Sequence, residues 1–373
     1  MAALAVGSRF AISRIHKVDV AGQAIAVSFL GNSVAFVSSE ESILLVSPDG
    51  GERRVAVHDG AILAVSASHD IIVTGGDDGH VKALTADGEH RTIATDPKGR
   101  WIDCVAIGAS ERLAWSAGKQ VFLKTDDNEI CSIDLASTAG GLAFGENDDV
   151  LAIAHYNGVS LWRAGGAASS LETLAWKGAH SGVAFSPAGG FLVTRMKEPA
   201  LQGWRLHDRN AMPMHGYRSR VQSIDWTPGG KWLATSGSQY LVLWPFEQAE
   251  NPLSGVPLLL AGYRHMATVV SCHPREDVVA VGYADGLVLL IRIEDEAEIL
   301  MKNPHGSPIS SMAWNAEGSR LAIVSEDGAG RVVDFASEPD RAGFDDRSHE
   351  CGSLAALTSA AVAIAGTATQ YRE

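Results

Sequence analysis

One short pattern recurs along the chain and limits what it can fold into: an apolar run, a turn on Asp-Gly or Gly, and a second run that follows at once. It is plainest at Val73 to Lys82 (VTGGDDGHVK), Ala152 to Trp162 (AIAHYNGVSLW), Leu233 to Trp244 (LATSGSQYLVLW), Val279 to Leu289 (VAVGYADGLVL) and Leu321 to Gly328 (LAIVSEDG). Weaker copies centre on Ser42, Lys119 and Ala200. The turns fall near residues 41, 79, 119, 158, 201, 239, 286 and 328, at spacings of 38 to 47 residues. The runs alternate or stay apolar for five to seven residues between Gly and Asp turns, with no i, i+3, i+4 period, which is strand behaviour. Each copy also opens on an apolar strand closed by a tight turn. Val183 to Gly189 (VAFSPAG), Ile224 to Gly230 (IDWTPGG), Val270 to Pro274 (VSCHP) and Met312 to Gly318 (MAWNAEG) are examples. A period near 40 with four strands per copy predicts an all-β chain forming a single β-propeller, because such a unit buries its faces only against its neighbours. Eight four-stranded blades are expected over residues 1–336, with seven as the alternative count. Arg9 to Val20, alternating in Phe10, Ile12, Ile15 and Val18, would supply the outer strand of the last blade and close the ring. Residues 337–373 are expected to form a C-terminal extension, either loosely ordered or an added hairpin.

The pattern resembles WD40 repeats over about residues 10–336. Leu161-Trp162 and Leu243-Trp244 look like that family's third-strand ending, although Arg163 and Pro245 stand where its Asp would be. His58, His180 and His305 fall where its Gly-His pair precedes a blade. The resemblance implies a buried network joining that His to a turn Asp, a strand Ser or Thr, and the Trp. His58 with Thr74 and Asp78, and His180 with Thr194 and Trp204, are the fullest sets. Gly79, Trp162, Trp244, Asp285, Gly286, Asp327 and Gly328 would be further residues of the repeat. The resemblance also implies a scaffold that docks proteins rather than an enzyme.

Composition narrows the function classes. A formal net charge of −14 argues against a surface built as a whole to grip nucleic acid, which needs concentrated Lys and Arg. Cys104, Cys131, Cys272 and Cys351 lie far apart with no C-x-x-C pair, so neither a zinc knuckle nor a disulfide framework is read. No secretory leader and no membrane-spanning apolar run are expected, which points to the cytoplasm and to no membrane partner. The 39 glycines suit a fold with many tight turns.

No Gly-x-Ser-x-Gly elbow, phosphate loop or His-Glu-x-x-His is present, so no catalytic set and no cofactor are expected. The alternative, a metal-dependent propeller hydrolase or lactonase or a metal-homeostasis accessory protein, would need ligands converging on the central channel. Asp103, Asp225 and His273 are the inner-strand candidates, and isolated polar residues are the plainer reading. A propeller binds through loops at its blade ends. Arg100, Trp101, Arg218, Arg220, Tyr263 and Arg264 fall in loops entering blades, while Tyr156, Lys197, Tyr240 and Tyr283 fall near the turns between second and third strands. Arg and aromatic residues dominate interface hot spots, so these ten are the expected binding surface for one or more proteins or peptides. The propeller is expected to be monomeric within a larger complex.

Overall fold

The computed structural model describes residues 10–125, 127–163, 170–246 and 256–336. Residues 337–373, expected to form the extension, lie outside the described residues. Among those described, every element is a strand except one 3-10 turn at Pro228–Gly230, and no helix is long and apolar enough to cross a membrane.

Units 1, 2, 3, 6 and 7 each lay down four antiparallel strands. Unit 1 is Ala24–Leu30, Ser33–Ser38, Ser42–Val46 and Glu52–Ala56, paired in that order. Burial explains the residue choice strand by strand. Second strands such as Ile71–Gly76, Val278–Tyr283 and Arg320–Ser325 are almost wholly buried because neighbouring units cover both their faces, so they read as continuous apolar runs. Fourth strands such as Glu52–Ala56 and His90–Thr95 line the rim, are mostly exposed, and carry Arg, Glu and Thr. Core clusters draw on two successive units. Val27, Val34, Phe36 and Leu44 of unit 1 pack on Ala322, Val324 and Val332 of the last. No unit therefore has a core of its own, and truncating a buried aromatic such as Phe36 would cost about 3–5 kcal/mol.

Closure is made by the chain's start. Ile12–Asp19 pairs antiparallel with Ala329–Phe335, completing the sheet that holds Ile309–Trp314 and Arg320–Ser325. The described strands form seven sheets, so the expected eight is corrected to the alternative count. The cause is local: units 4 and 5 share one six-stranded sheet. Leu151–Arg163 runs through as both the second and third strands of unit 4, bending at the irregularity between Tyr156 and Gly158. Ser170–Phe185 then serves as the fourth strand of unit 4 and continues as the first strand of unit 5. All eight sequence units are still present, two of them fused.

Two devices repeat. In the Asp-Gly turns the glycines take positive φ (Gly79 76°, Gly286 89°, Gly328 87°), a region costly for residues with a Cβ. The preceding Asp accepts a main-chain N–H two residues on, as Asp78 does from His80, Asp285 from Leu287 and Asp327 from Ala329. The second device is a β-bulge near the start of the inner strand, where the register skips Ile25, Leu63, Asp103, Ser181, Thr268 and Ser310. Ile25, Thr268 and Ser310 line a channel cavity of about 340 Å³, together with Gln222, Ser223 and Glu326.

Candidate functional site: the loop face

Loops entering a unit and turns between its second and third strands share one end of the ring. The buried repeat networks lie beneath this face and fix its loops. His58 is buried, donates Nδ1–H to Asp78 at 3.0 Å, and takes the Thr74 hydroxyl on Nε2 at 2.8 Å. Burial holds its pKa below the usual value despite Asp78, so the neutral ring is favoured. His180 lies 2.7 Å from Thr194 Oγ1, donates Nε2–H to the Trp176 carbonyl, and has the Trp204 ring 5.8 Å away. Unit 6 carries a version built without a histidine. Trp244 Nε1 donates to the Tyr217 hydroxyl at 2.6 Å, and that hydroxyl is 2.7 Å from Thr235 Oγ1. Tyr217 thus stands in the position of the His. His305 does not repeat the arrangement: its Nδ1 lies 2.6 Å from Nζ of the buried Lys302, and its Nε2 3.4 Å from Asp327. Burial, with Arg331 nearby, pushes Lys302 down to about 8. Trp162 is buried in the core between units 3 and 4.

The ten surface candidates separate. Trp101 and Tyr156 are 61% and 57% exposed. Tyr240, Lys197, Arg218, Arg220 and Arg264 are also exposed. Tyr283 is fully buried and donates its hydroxyl to the Ala261 carbonyl, so it is corrected from surface to core. It ends a second strand buried at every position, and its ring packs edge-on to Tyr263 at 5.0 Å. Tyr263 is half-buried with its hydroxyl on Asp285, and Arg264 lies over its ring at 5.7 Å. Arg100 is already paired: its guanidinium holds Asp96 at 2.5 Å and reaches Gln120, and this pairing holds Asp96 down at about 2.

The channel candidates do not converge. Among the described residues no three His, Cys, Asp or Glu side chains are placed to share a metal ion. Asp103 is exposed and accepts from the Gly118 N–H. Asp225 accepts the Cys272 N–H at 2.7 Å and the Trp226 N–H at 2.9 Å, and burial against the next inner strand pushes its carboxyl up to about 6. His273 is buried beside Phe10 and Trp314, with Nε2–H on the Gly318 carbonyl and Nδ1 accepting the main-chain N–H groups of Arg275 and Glu276. Its place is structural.

Around the ring, charge on the loop face is uneven. Glu40, Glu41 and Asp59 are exposed over units 1 and 2. Over units 5 and 6 stand Lys177, Lys197, Arg218 and Arg220, all exposed, with the half-buried Arg195 behind them. The acid in that arc, Glu198, is turned onto the Ala179 N–H. Tyr156 and Tyr240 flank the arc.

Three comparisons bear on this face and ring. A model of the WD domain, G-beta repeat, matches residues 52–83 and 210–245, and one of the anaphase-promoting complex subunit 4 WD40 domain matches 270–351. Mouse coronin-7 is 30% identical over 159 residues, 41% of this chain but 17% of coronin-7. Human Gem-associated protein 5 is 25% identical over 142 residues, 36% of this chain and 9% of that protein. The chain therefore matches only a small part of these relatives. The crystal structure of the computationally designed Ika8 protein superposes with a TM-score of 0.70 over 88% of this chain and all of that one; at 16% identity it speaks to fold alone.

Proposed function

Because the chain is a WD40-repeat β-propeller, a class that generally binds other proteins, we propose that it is a non-catalytic docking module whose loop face over units 5 and 6 receives an acidic protein segment. The observation that carries this reading is the arc of Lys177, Lys197, Arg218 and Arg220 on a chain of net charge −14, with exposed Tyr156 and Tyr240 beside it. Cations grouped on one sector attract an acidic partner at long range and repel wrong ones. Aromatic side chains at its edges supply apolar contact at low entropic cost. The proposal narrows the ten sequence candidates to the exposed ones near the arc: Tyr156, Lys197, Arg218, Arg220 and Tyr240. Reversing Arg218 and Arg220 together to Glu should abolish capture of the partner from the native host while leaving the melting temperature unchanged. Capture at the wild-type level by that double variant would sink the reading.

A further inference from the structure

We infer that Arg195 and Arg220 form an anchor beside the channel cavity that grips a single carboxylate, an Asp or Glu side chain of the docked segment. This rests on the acidic-partner reading and gives it a point of attachment.

Arg195 sits on the second strand of unit 5 directly opposite Gly182 of the inner strand. A Cβ at Gly182 would lie 2.4 Å from Arg195 Nη2 and 2.6 Å from Nε, so the guanidinium occupies the space over the inner strand where Gly182 carries no side chain. The bulge at Ser181 displaces the inner strand at that point. One Nη bonds the carbonyl of Gln222 in the next unit and the other reaches the Ser181 carbonyl at 3.5 Å. Gln222 is itself in the wall of the 340 Å³ cavity, so the fork is bonded to a residue of that wall.

What this fork lacks is an anion. Its described partners are both carbonyl oxygens, which orient a guanidinium but do not neutralise it. Arg220 stands two residues before Gln222, whose carbonyl Arg195 bonds, so both arginines serve the same loop; burial first, and the Arg220 charge second, lower the Arg195 pKa. Two like charges held together at a half-buried point are unfavourable until a counter-charge arrives. A half-buried fork bridged to two carbonyls, beside an exposed second arginine, is also pre-ordered for bidentate capture. The geometry favours a carboxylate over a phosphate. The Gln222 and Ser223 N–H groups both donate to Ser236 Oγ, so these two main-chain donors are already committed and do not join a cage around a tetrahedral anion.

The test uses the full chain and a rhodamine-labelled Glu-rich decapeptide, read by fluorescence anisotropy, with Gln-for-Glu and phosphoserine-for-Glu versions beside it. The Glu peptide should bind at least tenfold more tightly than the Gln version. Arg195→Lys, which keeps the charge and loses the fork, should weaken it about tenfold. Arg220→Gln, at an exposed site that leaves folding intact, should weaken it several-fold and more than Arg218→Gln does. If Arg218→Gln is the most damaging change and Arg195→Lys and Arg220→Gln bind as wild type does, the anchor is wrong while the acidic-partner reading stands. No binding of the Glu peptide to the wild-type chain would overturn both. Tighter binding of the phosphoserine version, by tenfold or more, would overturn the carboxylate assignment.

Discussion

Replacing Tyr217 with Phe tests the buried network that supports the proposed docking arc. The hydrogen bonds run one way: Trp244 Nε1–H to the Tyr217 oxygen, the Tyr217 hydroxyl to Thr235, and the Thr235 hydroxyl to the Val242 carbonyl at 3.3 Å. Burial raises the Tyr217 phenol to about 12, so it stays a donor at any working pH. Tyr217→Phe removes one atom and strands the indole N–H in a dry site, since Trp244 and Thr235 are both buried. The orphaned indole N–H costs about 1–3 kcal/mol and the lost bond to Thr235 about 1 kcal/mol net, so a total of about 2–4 kcal/mol is expected. With an unfolding entropy of ~2.1 cal/mol/K per residue, that is a fall of roughly 4 °C in melting temperature for a ring of this size. Trp244→Phe removes the stranded donor, so Tyr217→Phe in that background should cost only about 1 kcal/mol, a coupling of about 1–3 kcal/mol in the double-mutant cycle. Thermal unfolding of the four proteins measures all of this. A Tyr217→Phe melting point within a degree of wild type, or strict additivity, would refute the one-way chain.

Acid should weaken the fold early. Burial holds His58, His180 and His273 below the ordinary 6.5, so the unfolded chain takes up protons that the folded ring refuses. Their contribution is complete above 6.5 and is lost as pH falls through 6.5 toward the folded values, so the urea midpoint at pH 5.5 should lie below that at pH 7.5. Equal midpoints would contradict the neutral, buried assignment. Asp225 works in the opposite sense: with a folded value of about 6 above its ordinary 3.8, its contribution is present at low pH and is lost as pH rises from 3.8 to 6. A carbon-detected NMR titration should place its carboxyl near 6, and a midpoint below 4 would remove it from the closed inner-strand site.

The ring was legible because its cues are local. An Asp-Gly turn needs a positive φ at one residue and a side-chain acceptor at the one before, and both are written in adjacent letters at Asp78-Gly79, Asp285-Gly286 and Asp327-Gly328. Closure by the first strand was legible for the same reason, since an alternating segment was left over at one end and an unpaired unit at the other. The number of separate sheets was not. It turns on whether Tyr156 pairs with Ala179, 23 residues on, and no local pattern sets that register. Tyr283 and Tyr240 show the same limit for the site. Both sit beside a turn, but one ends a strand buried on both faces and the other precedes one, and only neighbouring units decide which is covered. Tyr217 carries no such local signal, because chemistry and not residue type defines its position: a Thr hydroxyl and an indole N–H need a partner that donates once and accepts once, and a phenol meets that as well as an imidazole.

Net charge misdirects for a related reason. Many acids behind the −14 are spent inside the ring: Asp78 on His58 and two main-chain N–H groups, Asp96 on Arg100, Asp285 on Tyr263, Asp334 on Arg320. Each is fixed by a partner a few ångströms away and is a poor handle for anything outside. Arg195 is held just as firmly, but by carbonyl oxygens, which leave its charge uncancelled. A partner therefore meets not the average charge of the chain but whatever charge its internal bonds leave over. On the loop face over units 5 and 6 the exposed Lys177, Lys197, Arg218 and Arg220 make that remainder positive, and this is the charge the proposed acidic segment would meet.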